Sequence, residues 1–206
     1  RNLDLGIAFD GDGDRMLAVD ENGAPLDGDQ ILAVLALDLA VDGVAVTTMT
    51  NLGFHRLMEE RAIRVVVTDV GDRYVLEALR RHGLLLGGEQ SGHLIWLEGH
   101  VTGDGLVAAL LLCRALGGRP LSEAAAVMPR FPQVMRNLPR TGRGALPEQL
   151  LAAVEEVNTE LDGTGRVLVR PSGTEPVVRV LAEAETAEDA EELCARVAAL
   201  ATHELG

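Results

Sequence analysis

The sequence predicts an α/β protein: a layered α/β domain with a mixed sheet, followed by a smaller α+β C-terminal domain. Three observations predict it. Short β-branched apolar runs alternate with helical patterns between residues 27 and 124. Pro129, Pro132, Pro139 and Pro147 then punctuate the chain as a linker would. Beyond them the pattern restarts as strand, helix, strand, strand, helix.

Taken in order, Leu3 to Phe9 reads as a short buried strand that runs into the loop Asp10-Gly11-Asp12-Gly13-Asp14-Arg15. Met16 to Val19 resumes a strand and turns at Glu21-Asn22-Gly23. Asp29 to Ala40 is a strongly apolar helix. Strands at Val44 to Thr48 and Ile63 to Thr68 alternate with helices at Leu52 to Arg61 and Arg73 to His82, the latter closed by Gly83. Leu84 to Leu86 leads into Gly87-Gly88, and His93 to Leu97 reads as another strand. Asp104 caps a helix expected to be buried, which runs to Leu116 and stops at Gly117. In the smaller domain the expected elements are strands at Gln133 to Leu138, Arg166 to Val169 and Val177 to Glu183, with helices at Pro147 to Leu161 and Ala187 to His203. The last helix has the clearest signature. Thr186 and Asp189 make a capping-box-like start, and Ala190, Leu193, Cys194, Val197, Leu200 and Ala201 share one apolar face.

The formal charge of −14 argues against nucleic acid or an anionic membrane as a partner. All 18 basic residues are arginine, so no lysine is present to act as a base, a Schiff-base former or a P-loop phosphate binder. Apolar runs such as Ile31 to Leu37 are too short to span a bilayer. Cys113 and Cys194 sit among apolar residues on helical patterns and are expected as small core residues. With no disulfide framework, a cytoplasmic setting is expected. Arg1 leads almost directly into a strand without a signal-peptide pattern, as in a piece of a longer chain.

Three loops carry chemistry. Asp10, Asp12 and Asp14 alternate with glycine after a strand, and three such close carboxylates repel one another unless a cation neutralises them. Hard oxygen ligands favour Mg²⁺ or Ca²⁺. An EF-hand is excluded because its sixth position needs glycine and holds Arg15, and because a strand precedes the loop. The plainer alternative is a solvated acidic turn. Gly87-Gly88-Glu89-Gln90-Ser91-Gly92-His93 combines close backbone approach with an acceptor, a hydroxyl and an imidazole, a set suited to sugar hydroxyls or to a tight structural turn. Arg170-Pro171-Ser172-Gly173-Thr174-Glu175-Pro176 offers a guanidinium, hydroxyls and free backbone N–H groups, as a phosphate cradle or as a rigid hairpin. Arg73, in Val70-Gly71-Asp72-Arg73-Tyr74, opens a helix whose N-terminus favours anions, with plain capping as the alternative.

The order DGDGDR, VGDRYV, GGEQSGH, TGDG (Thr102 to Gly105), RPSGTEP resembles the α-D-phosphohexomutase family over nearly the whole chain. The VGDRYV and GEQSGH spellings are most similar to its phosphoglucosamine mutase branch. The resemblance implies four domains around one cleft, with residues 1–26 ending the second, 27–124 forming the third and 130–206 the fourth. It implies that Asp10, Asp12 and Asp14 hold Mg²⁺ and that Arg15 steadies the phosphoryl group. Glu89 and Ser91 would bind sugar hydroxyls, with His93 as a candidate proton shuttle. Arg170, Ser172, Gly173 and Thr174 would grip the phosphate that is not reacting. The implied partners are a hexosamine phosphate and the N-terminal domains of the same protein. The family's phosphoserine loop, which resembles SHNP, has no counterpart, since Ser91, Ser122 and Ser172 are the only serines. The proline-rich stretch suggests a C-terminal domain able to swing over substrate.

Overall fold

The computed structural model describes residues 3–140, 145–172 and 175–205. The chain divides into two compact units, residues 1–130 and 131–206.

The first unit opens with an antiparallel meander of β1 (Leu5–Phe9), β2 (Met16–Asp20) and β3 (Pro25–Leu26). Phe9 pairs with Met16, so the aspartate-glycine loop is the connection that closes this hairpin. Along β2, Met16, Ala18 and Asp20 are buried while Leu17 and Val19 face outward, the alternation a half-covered strand requires. Asp20 is polar yet buried because its carboxylate accepts from the N–H groups of Asn22 and Ala24 and so holds the turn into β3.

The rest of the unit is a three-layer α/β/α arrangement. Its elements are α1 (Gly28–Asp38), β4 (Gly43–Thr47), α2 (Leu52–Glu60), β5 (Arg64–Thr68), α3 (Asp72–His82), β6 (Leu86–Gly88), β7 (Leu94–Trp96), α4 (Gly105–Leu116) and α5 (Leu121–Ala125). The sheet order is β5-β4-β6-β7, with β4 parallel to both neighbours and β7 antiparallel to β6. This is the mixed sheet expected from the sequence. Central strand β4 is buried along its whole length and sorts its side chains by alternation. Val44 and Val46 join the core beneath α1 and α4, while Ala45 joins a second core with Val75, Ala78 and Leu79 of α3. Helix α1 starts in a full capping box between Asp27 and Gln30. Gly83 and Gly117 end α3 and α4 in the left-handed conformation that glycine adopts without steric cost.

Helix α4 corrects one expectation. Asp104 caps it as read, through Val107 N at 3.0 Å, but the helix is not fully buried. Leu106 and Leu110 are about three-fifths exposed, and Cys113, expected in the core, is also exposed on this helix. An almost wholly apolar helix gives no polar stripe from which its outward face could be read. The short β3 and α5 were likewise not expected from periodicity.

The second unit contains β8 (Gln133–Pro139), α6 (Glu148–Leu161), β9 (Gly165–Pro171), β10 (Val177–Ala184) and α7 (Ala187–Leu205). Its antiparallel sheet has the order β8-β10-β9. Both helices pack on one core with Leu150, Val157, Val167, Val180, Cys194 and Val197. Cys194 is buried there as expected. Thr186 Oγ1 accepts from Asp189 N at 3.1 Å and so caps α7. Among the described residues no helix is long and apolar enough to cross a membrane.

Candidate functional site

The loop after β1 is built around Asp10. Its Oδ1 accepts from the backbone N–H groups of Gly13 and Arg15 at 3.1 and 3.3 Å, folding the chain back toward β2. Gly13 takes a φ of +74° within that turn, which explains one of the two glycines. Carboxylate atoms of Asp10, Asp12 and Asp14 converge to within 4.8 Å of one another. The Arg15 guanidinium offsets part of this charge, with Nε 3.8 Å from Asp10 and 3.9 Å from Asp14. Desolvation pushes the Asp10 carboxyl up. The Arg15 N–H, the Asp14 side chain, the Gly13 N–H and the Arg15 charge outweigh it and hold Asp10 below the ordinary carboxylate value.

The residues present fit a hard divalent cation. Three carboxylates meet at one point, and Asp14 Oδ1, 3.9 Å from Arg15 Nε, is shielded from solvent without a hydrogen-bond partner. Such an oxygen is costly to bury unless something with positive charge binds it.

The glycine-rich loop between β6 and β7 is fastened to this aspartate loop. Met16 N donates to Gly92 O at 3.0 Å, and Arg15 and His93 form an antiparallel bridge. Gly28 N donates to Gln90 O at 2.9 Å, and a side chain at Gly28 would overlap the loop backbone at Glu89. Glu89 is half-buried and accepts from Gly71 N at 3.0 Å through Oε1, while Ser91 is exposed. Glu89, Ser91 and the three aspartates are thus carried by one hydrogen-bonded cluster of turns.

His93 is placed otherwise than a proton shuttle would be. A shuttle needs a ring edge open to its substrate, but His93 is only 3% exposed. Its Nδ1 lies 3.1 Å from Asp14 Oδ2, and its Nε2 edge packs on Gly103, where any side chain would collide with the ring. The two glycines of the TGDG segment therefore have a structural meaning beyond the cap already read at Asp104. Gly103 makes room for His93, Asp104 caps α4, and Gly105 N donates to Gly13 O at 3.0 Å beneath the metal loop. Arg73 lies at the start of α3 but is strongly exposed and paired with Glu77 at 2.8 Å.

In the second unit, Arg170 is the penultimate residue of β9, two positions before Ser172, whose Oγ accepts from Glu175 N at 3.2 Å. Gly173 and Thr174 lie outside the described residues. The residue that sequence reasoning missed is Arg179 of β10, which stands directly opposite Arg170 across the antiparallel ladder. The Nε atoms of both arginines are buried without hydrogen-bond partners. Desolvation, followed by the neighbouring Arg179 charge, pulls the Arg170 pKa below the ordinary guanidinium value. Arg179 also pairs with Glu175 at 2.8 Å, and two like charges facing each other with unsatisfied donors are chemically suited to an anion. The signal available in the sequence was the arginine at the second strand's third position, but only the register makes it Arg170's partner.

Comparison with known proteins places both units. Residues 27–131 match the family model described as phosphoglucomutase/phosphomannomutase, alpha/beta/alpha domain III, and residues 130–200 match the C-terminal domain of the same family. The phosphoglucosamine mutase of Bacillus licheniformis is 49% identical over all of this chain and 48% of its own length. That of Frankia alni is 53% identical over 96% of this chain and 46% of its own length. The chain thus spans about half the length of the curated relatives it matches. A solved N-acetylphosphoglucosamine mutase of Aspergillus fumigatus, described in complex with GlcNAc-6P and magnesium, superposes with a TM-score of 0.80 at 23% identity. It covers all of this chain and half of its own, a likeness of fold.

Proposed function

Because the chain belongs to the phosphoglucomutase/phosphomannomutase family, we propose that it is the metal-, sugar- and phosphate-gripping part of a phosphoglucosamine mutase. The reaction proposed is the interconversion of glucosamine 6-phosphate and glucosamine 1-phosphate through a phosphoserine and a bisphosphate. Residues 1–26 would close the family's second domain, 27–124 form the third and 130–206 the fourth. The observation that carries the reading is the fastening of the Asp10-Asp12-Asp14 loop to the Glu89-Ser91 loop through the Arg15–His93 bridge. Approximately half-identity to phosphoglucosamine mutases supports the choice of sugar.

In this reading Asp10, Asp12 and Asp14 hold Mg²⁺, which when bound neutralises charge on the transferring phosphoryl oxygens. Arg15, half-exposed beside the carboxylates, orients that phosphoryl group. Glu89 Oε2 and Ser91 Oγ are acceptor and hydroxyl for the sugar. Glu89 enters the task already held by Gly71, so little side-chain entropy is lost on binding. Arg170, Ser172, Gly173 and Thr174 hold the phosphate that is not reacting, with Arg179 as a second guanidinium. A bisphosphate that turns round between two half-reactions needs both ends recognised by charge and shape rather than by one fixed bond. Paired arginines with free donors suit this.

The serine that carries the phosphoryl group is proposed to lie outside these residues. The hydroxyl of Ser122 is committed to Glu21, and that of Ser172 to the Glu175 N–H. Ser91 belongs to the sugar loop.

A thermal-shift series on the 206-residue chain tests the reading, using glucosamine, glucose and mannose 6-phosphates, each with Mg²⁺. Glucosamine 6-phosphate is expected to raise the midpoint most. Equal shifts for all three would remove the sugar assignment, and no shift with any would remove the binding role. The chain alone is expected not to turn over glucosamine 6-phosphate. Robust turnover would place the nucleophile within these residues.

A further inference from the structure

We infer that His93 is a positioning residue for the metal loop, holding Asp14 by one oxygen so that the other is presented to the cation. The inference rests on the reading that Asp10, Asp12 and Asp14 bind a divalent ion. The two oxygens of Asp14 have different surroundings. Oδ2 lies 3.1 Å from His93 Nδ1, whereas Oδ1 is buried, lacks a hydrogen-bond partner and has only the longer ion pair with Arg15 Nε at 3.9 Å among the described residues. A carboxylate held at one oxygen by a ring N–H keeps its plane fixed, and the remaining oxygen then points one way.

The ring is itself held. It is 3% exposed, its backbone bridges to Arg15, and Glu89 N donates to His93 O at 3.0 Å. Gly103 lies against the far edge, where an added Cβ would stand 2.2 Å from Nε2. The imidazole therefore acts on the loop from behind. Its Nδ1–H tautomer suffices to donate to Asp14, and no change of protonation is needed. The GEQSGH histidine and the TGDG glycine become two parts of one device: the histidine sets Asp14, and the glycine sets the histidine.

The test is an electron paramagnetic resonance titration of the 206-residue chain with Mn²⁺, which takes the same hard oxygen ligands. Four variants accompany it. Asp12→Asn reports whether the loop is the binding site. His93→Leu removes the donor and is expected to weaken Mn²⁺ by about 10- to 100-fold, the range for loss of an outer-shell partner. His93→Asn places an amide N–H near the position of Nδ1 and is expected to restore most of that loss. Gly103→Ala, which touches neither the loop nor the imidazole chemistry, is expected to repeat the His93→Leu effect by displacing the ring. Metal-free circular dichroism accompanies each titration. The rescue by asparagine is the readout that a purely packing role for His93 would not produce.

Mn²⁺ binding by the wild type with equal affinity in His93→Leu would overturn the inference while leaving the metal loop intact. Equal weakening in His93→Leu and His93→Asn would also overturn it. A wild-type titration indistinguishable from Asp12→Asn would remove the metal reading itself, and the inference with it.

Discussion

The Glu89 carboxylate accepts a hydrogen bond from the backbone N–H of Gly71 at 3.0 Å, tying the glycine-rich loop to the turn that begins α3. Gly71 has φ +138° and ψ 134°, a conformation that residues with a Cβ rarely adopt. Gly71→Ala is therefore expected to lower stability by about 1–3 kcal/mol through backbone strain and to loosen Glu89. Glu89→Gln should separate the two effects. Its amide oxygen can still accept from Gly71, so the thermal midpoint should stay close to wild type while the shift caused by glucosamine 6-phosphate shrinks. A full ligand shift in Glu89→Gln would remove Glu89 from the sugar site.

The three aspartates of the loop after β1 divide their work unequally. Asp10 shapes the turn, Asp14 is held by His93, and Asp12 is exposed. Asp12→Asn relieves mutual repulsion without breaking the turn, so the metal-free midpoint should rise slightly and the Mg²⁺-induced rise should largely disappear. Asp10→Asn should instead lower the metal-free midpoint. The Asp10 pKa is depressed, so its contribution is complete above the ordinary aspartate value of 3.8 and is lost as pH falls through its own lower value. Carboxyl-carbon NMR should find the Asp10 midpoint below 3.8; a midpoint above it would contradict the hydrogen bonds described.

Where a local signal exists, the sequence is legible. Asp104 and Gly117 bound α4, Gly83 ends α3, and Asp10, Asp12 and Asp14 converge as their spacing suggests. What could not be read depends on contacts between distant residues. His93 and Asp14 stand 79 positions apart, and nothing in either motif says that one holds the other. Gly103 looked like spelling and proves to be space for a ring. The outward face of α4 was hidden because Leu106 and Leu110 are as apolar as the residues it buries. Arg179 escaped notice for a related reason: a one-residue slip in the β9–β10 register would place it on the opposite face from Arg170.

That register leads to a prediction about the phosphate receptor. Arg170 and Arg179 repel each other across the ladder, and among the described residues Arg179 pairs with exposed Glu175 at 2.8 Å. Arg179→Met removes the repulsion and keeps the stem that covers the sheet. The ligand-free midpoint should therefore not fall, while affinity for sugar phosphate should drop about tenfold or more. Isothermal titration of the variant with glucosamine 6-phosphate checks this. Unchanged affinity would show that Arg170 works without its neighbour.

The same strand carries a charge whose role is structural. Glu183 is fully buried on β10, where Oε1 accepts from Gln133 Nε2 at 2.8 Å and Oε2 pairs with Arg166 Nε. A carboxylate there is tolerable only because both oxygens are occupied. Glu183→Ala leaves the mostly buried Arg166 guanidinium facing a cavity and should cost about 3–5 kcal/mol. Glu183→Gln keeps the volume but turns one acceptor into a donor facing Arg166 or Gln133, so it should fall between wild type and alanine. The double change Arg166→Met with Glu183→Leu removes the need for pairing and should recover most of the loss. Denaturant unfolding, with hydrogen exchange read in β9 and β10, measures all three. If the double variant were as unstable as Glu183→Ala, the pair would be contributing attraction beyond the satisfaction of its own charges.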